Sequence, residues 1–345
     1  MKKAKRKKSG GAFRLLLIAA YSVLLIRHSD EIAEGIHSAL TRCVNVIVPA
    51  LFAFLAAADM LVRGGAYIYL SAPFRPLAWL TGLPEELCPV LVLSNVAGYP
   101  AGASVIRTMC ESGRLDSGDA SRLMCFCFNA GPAFLVGVLG QRRGLAVWLI
   151  IFAVNILAAA VICRIRPLKA GAKAENVCSP GWDLLTGSVS AAGRALFKVC
   201  GMIMLFSTFL TLINCCLGRF GLKIGVFAPI LEISELGESA SAGLWSVCAA
   251  GAFGGVCVLL QIKAIIGSAF SLVPFLLARV ICAVMAGVIA VFAERYLLSG
   301  ETLPTAAQYA AQFAATEQGS VFPTICLIMM IVLTLVSVKK AESRK

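Results

Sequence analysis

The residues best suited to chemistry lie where apolar stretches are interrupted. Ser94-Asn95-Val96-Ala97-Gly98-Tyr99-Pro100-Ala101-Gly102 gathers a hydroxyl, a carboxamide and a phenol around one proline and two glycines. Pro100 has no N–H and breaks a helix, which frees backbone amides and carbonyls to bind a solute. A half-helix that starts at such a break favours an anionic group. The purely structural alternative is a close helix crossing, because Gly98 and Gly102 fit G-x-x-x-G. Asn129, Gly131 and Pro132 form a second break, which alone reads as a kink and beside the first reads as part of a site.

In the second half Glu232 follows Pro229 inside an apolar run, with Glu235 and Glu238 at three-residue spacing. An ionisable group at membrane depth is a functional candidate, unless the stretch merely reaches the surface. Gln261 ends a later apolar run and is a candidate solute ligand, whereas Lys263 reads as an interfacial anchor. Arg279 lies near the middle of its run, where it must face protein or water. It is expected either to neutralise Glu232 or to attract an anionic solute. Two local pairings are expected: Asp59 with Arg63 at i, i+4, and Asp116 or Ser117 as the N-cap of the helix that follows. No P-loop, G-x-S-x-G, H-E-x-x-H or dinucleotide fingerprint occurs, so no enzyme is expected. His28 and His37 are the only histidines and share one polar stretch, and the fourteen cysteines lie mostly in apolar runs without C-x-x-C spacing. Neither a protein metal site nor a cofactor is expected.

The elements that must position these residues are set by composition. Of 345 residues, 59% are apolar and only 14% charged, against about 25% charged in soluble domains. That balance implies an all-α polytopic membrane protein. Eight segments approach spanning length: 12–27, 44–62, 120–140, 144–163, 195–217, 243–262, 272–293 and 320–338. The first is expected to be an uncleaved helix, because Arg27-His28-Ser29-Asp30 offers no small-residue cleavage site. Segments 89–106 and 225–236 are too interrupted to span and read as two re-entrant hairpins.

With the N-terminus in the cytoplasm, basic residues favour the inside by about three to one. The net charge of +13 is therefore orientation and lipid contact, with no nucleic-acid partner expected. Both termini and the loop 164–193 are expected in the cytoplasm. The order span, hairpin, broken span, span occurs twice, over 44–163 and 195–296, with opposite starting sides. That is an inverted repeat of the kind secondary transporters use. Residues 1–43 form a basic N-terminal segment, first helix and loop; 164–194 a linker; 297–345 the last loop, helix and basic tail.

Ala97 to Ala103, Gly113-Arg114-Leu115, Ala120 to Leu123 and Asn129 to Phe134, with Leu231-Glu232-Ile233 and Phe253-Gly254-Gly255-Val256, resemble the YlbJ-type sporulation integral membrane proteins. The resemblance covers roughly residues 30–295; it departs where Ser-Glu-Leu-Gly follows Glu232-Ile233 and where Val-Leu-Leu-Gln261 follows the glycines. It implies two gate-type repeats of the nucleoside recognition class and a solute pathway in a membrane around the developing spore. It also implies a small, anionic, aromatic solute such as dipicolinate, with a nucleoside as the alternative. Ser94, Asn95, Tyr99, Asn129, Glu232 and Gln261 would line the midplane site. Amides freed at Gly98 and Gly131, beside Pro100, would bind carboxylates. Expected partners are the solute, membrane lipids and either a second copy or other spore membrane proteins. A non-transporting scaffold in spore assembly is the competing reading.

Overall fold

The computed structural model describes residues 15–16, 18–169, 181–222, 224–237 and 243–297. Every regular element among them is helical. Helix α1 (Ile18–Arg27) turns at His28 into α2 (Ser29–Arg42), which runs through a π turn at Cys43–Ile47 into α3 (Val48–Arg63). The π turn sits immediately before Pro49, whose missing N–H would break a regular ladder. The span expected at 44–62 thus begins a full helix earlier. Its polar residues Asp30, Glu31 and Glu34 lie on a strongly one-sided helix, which averages out as polar when read linearly.

Short α4 (Arg75–Thr81) leads to α5 (Cys88–Ala97), a break at Gly98 and α6 (Tyr99–Glu111). The run 120–140 is not one helix. It splits into α7 (Ser117–Met124) and α8 (Pro132–Leu139), joined by non-helical backbone at 125–131. Asp116 caps α7, its Oδ2 accepting the Gly118 N–H at 2.9 Å. Then follow α9 (Gln141–Ile165) and α10 (Trp182–Gly218), which starts within the stretch expected to be a loop. The second half continues with α11 (Ala228–Leu231), a break at Glu232, a 3₁₀ turn at Ile233–Gly237, α12 (Leu244–Phe253), a break at Gly254, α13 (Gly255–Ile266) and α14 (Val273–Leu297).

Among the described residues five helical stretches are long and apolar enough to cross a membrane: Ser29–Arg63, Gln141–Ile165, Trp182–Gly218, Leu244–Ile266 and Val273–Arg295. The pair Ala72–Thr81 and Glu85–Ala97, bent by 108°, would make a sixth. The protein is a multi-pass integral membrane protein, with five such spans, or six with the bent pair, among the described residues. The expected first span is described only as ten-residue α1, and 320–338 lies outside the described residues.

Long-range contacts sort the connectors to two ends. At one end Ser121 Oγ donates to the Ser271 carbonyl at 2.6 Å, Arg122 donates to the Arg166 carbonyl at 2.9 Å, and the Lys169 N–H donates to Asp119 at 3.1 Å. At the other end Arg42 pairs with Glu235, and Gly237 packs on Val138. The connectors that the charge count puts on one side therefore lie together. Asp59 pairs with Arg63 at 2.8 Å, as their spacing predicts.

Candidate functional site

Each half brings two chain breaks into contact, and glycine is what permits it. Gly98 has φ +93°, and a Cβ there would stand 3.0 Å from Leu51 and 3.3 Å from the Gly131 nitrogen. A Cβ on Gly131 would in turn meet the Val96 carbonyl at 3.1 Å. In the second half Gly255 has φ +77°, and its Cβ would stand 2.9 Å from the Pro229 carbonyl and 3.3 Å from the Ile233 nitrogen, on either side of Glu232. Gly98 against Gly131 is thus matched by Glu232 against Gly255. Gly102 permits a different close approach: its Cβ would lie 2.4 Å from the carbonyl of Cys127, in the non-helical stretch 125–131, and 3.0 Å from Ser94.

Three of the four breaks, at Gly98, Gly131 and Glu232, border one cavity. Its lining includes Gly98, Tyr99, Pro100, Gly131, Glu232 and Gln261, six of the nine sequence-predicted residues, together with Ser234 and an apolar wall containing Ile47, Leu51, Phe134 and Val258. About 30 Å³ is open to the centre of a water molecule, room for about two waters. The starts of α6 and α8 border it, so two helix N-termini contribute partial positive charge. Among the described residues no basic side chain lines it.

Glu232 is fully buried. One carboxyl oxygen accepts the Ser234 N–H at 3.0 Å, and the other, Oε2, has no hydrogen-bond partner. The Ser234 hydroxyl and the Cys257 thiol stand beside the carboxyl, neither in hydrogen-bonding geometry with it. The Gln261 amide donates to Cys257 Sγ at 3.2 Å. A buried carboxyl oxygen left unpaired carries a desolvation cost that a paired one offsets, so this group can accept a proton, a cation or a donor on a solute. Glu235 is committed elsewhere, to Arg42, and Glu238 lies outside the described residues.

Three predicted residues sit behind the cavity and not on its lining. Asn95 is a structural hub: its Nδ2 donates to the carbonyls of Leu91 at 2.8 Å and Phe126 at 3.2 Å, and its Oδ1 accepts from Asn155 at 2.8 Å. Ser94 Oγ and both polar atoms of Asn129 are buried without a hydrogen-bond partner. Tyr99 joins the halves, its hydroxyl donating to the Gly251 carbonyl at 2.6 Å while its ring packs on Phe128.

Arg279 does not neutralise Glu232. None of its hydrogen-bond partners is a carboxylate. It donates to the carbonyls of Cys125, Phe128 (3.3 Å) and Ala252 (3.4 Å) and to Asn155 Oδ1 (3.2 Å), and lies over the Phe128 ring at 4.9 Å. Cys125 follows the last residue of α7 and Ala252 is in the last turn of α12. The guanidinium therefore meets the negative ends of one half-helix from each half. Sequence reasoning missed Asn155, a lone amide in an otherwise apolar span; its position in mid-span was the available signal.

No family model matches the chain, and no solved structure matches it. Among curated proteins it is similar to the sporulation integral membrane protein YlbJ of Bacillus subtilis (strain 168), 26% identical over 130 residues. That stretch is 35% of this chain and 31% of YlbJ. The match thus spans about a third of that relative's length, a distant likeness between membrane proteins.

Proposed function

We propose that the protein is a permease for a small solute, acting in sporulation as the likeness to YlbJ suggests, and not an enzyme or a scaffold. The observation that carries this is the cavity. Chain breaks from both halves meet there, and they leave Glu232 Oε2 and Ser234 Oγ unpartnered in a wall that is otherwise apolar but for Tyr99 and Gln261. A scaffold gains nothing from orphaned polar groups at membrane depth, which cost stability. The matching order of breaks in the two halves supports an inverted repeat working by alternating access. The space open in this conformation is far below the 300 Å³ or more of a typical ligand pocket, so the cavity must widen to load a solute.

An anionic aromatic solute such as dipicolinate remains the leading reading. Its ring would meet Phe134 and Val258, and its carboxylates the amides at the starts of α6 and α8. Because the lining holds a carboxyl and, among the described residues, no basic side chain, such an anion must enter with a proton or cation on Glu232. The same lining favours a second reading, a neutral hydroxyl-rich solute such as a nucleoside, whose hydroxyls would donate to Glu232 and Gln261. Proteoliposomes separate the two. Saturable dipicolinate uptake, driven by an inward proton or cation gradient, supports the first; nucleoside uptake that dipicolinate does not inhibit supports the second. Flux of neither would return the scaffold.

A further inference from the structure

A second cluster of chemically capable side chains lies well away in sequence from every residue of the cavity. His28 forms the corner between α1 and α2, Glu31 stands in the first turn of α2, and Cys215 lies in the last turn of α10. One ligand atom from each, an imidazole nitrogen, a carboxylate oxygen and a sulfur, lies within 4.8 Å of the other two. His28 Nδ1 and Glu31 Oε1 are 3.6 Å apart. That is too long for a hydrogen bond. It is close to the edge of a tetrahedron around a metal with ligands at 2.0–2.3 Å, which works out at about 3.3–3.7 Å. His28 Nδ1 is also shut off from solvent and has no hydrogen-bond partner, so its lone pair is uncommitted.

We propose that His28, Glu31 and Cys215 bind a late first-row divalent cation, Zn²⁺ by its donor set, and thereby clip the corner before α2 to the C-terminal turn of α10. One nitrogen, one oxygen and one sulfur make a borderline-soft set that suits zinc and excludes calcium and magnesium, which take oxygen ligands. Binding releases the Cys215 thiol proton to solvent and leaves the thiolate on the metal. Three protein ligands leave a fourth position for water. The clip acts on helices that already pack together: Ser207 of α10 donates to the Gly35 carbonyl of α2 at 2.9 Å. The metal would therefore stiffen the pairing of the long helices that lead the two halves.

The test uses the purified full chain in detergent, stripped with a chelator and titrated with Co²⁺, then Zn²⁺. One Co²⁺ per chain should bind with a thiolate-to-metal charge-transfer absorption that Zn²⁺ abolishes, and Zn²⁺ should raise the unfolding temperature. Cys215→Ser should lose the absorption and the stabilisation, and His28→Ala should weaken both. Cys216→Ser, an exposed neighbour, and His37→Ala should behave as wild type. An absorption that is absent in wild type, or that survives Cys215→Ser, overturns the site. Should Cys215→Ser not fold, the corner variant His28→Ala decides, and unchanged Co²⁺ affinity there is equally fatal.

Discussion

At the scale of single residues, the energetics centre on groups whose hydrogen bonds are incomplete or cross between the halves. Glu232→Gln keeps the shape and removes the charge. If Glu232 takes the coupling proton or cation, gradient-driven accumulation should fall at least about tenfold, given the 1.5–3 kcal/mol typical of a charged hydrogen bond. Passive exchange should persist, and flux with and without an imposed gradient reads the difference. Unchanged accumulation would make Glu232 a bystander. Tyr99→Phe deletes the O–H that holds the Gly251 carbonyl and should cost about 1–3 kcal/mol, since the buried carbonyl loses its donor. Denaturation in mild detergent would measure it. The local pairings were legible because they depend on a few neighbouring residues: the Asp116 cap and the Asp59–Arg63 pair needed only spacing. Arg279 and Asn155 were not, because, Cys282 aside, their partners lie 27 to 154 residues away.

At the scale of elements, each half rests on a glycine held where a side chain cannot follow. Gly98→Leu forces a left-handed φ on a branched residue and drives it into Leu51 and Gly131. Transport should be lost while the protein still inserts, since the long helices α9, α10 and α14 are not among the nearest neighbours of position 98; uptake and membrane yield measure the two. Gly255→Leu should fail in the same way against Pro229 and Ile233, and a silent Gly255→Leu would deny the equivalence of the two breaks. Break positions could be read from Pro, Gly and a lone carboxylate within apolar runs. Element lengths could not. The span expected at 44–62 continues back through a π turn at Cys43–Ile47 to Ser29. The break expected at Asn129, Gly131 and Pro132 is present in the run 120–140, but its width was not legible, because apolar composition does not distinguish a helix from the buried non-helical stretch at 125–131.

At the scale of the whole molecule, the connectors gathered at each end define a testable sidedness. With native cysteines removed, a cysteine replacing exposed Gln141 should react with an impermeant maleimide from outside. One replacing exposed Glu111 should react only after permeabilisation. The opposite pattern would invert the layout inferred from the basic residues. Arg279 carries a consequence for how the molecule is made. A lone arginine at the centre of an inserting helix costs roughly 2.5–3.5 kcal/mol at the translocon. Apart from the Cys282 sulfur of its own helix, the groups that receive it, the carbonyls of Cys125, Phe128 and Ala252 and the Asn155 amide, all precede it in the chain. By the time α14 leaves the ribosome its berth has been synthesised, so the last described helix can enter the bilayer as a docking step and not as a solitary charged segment.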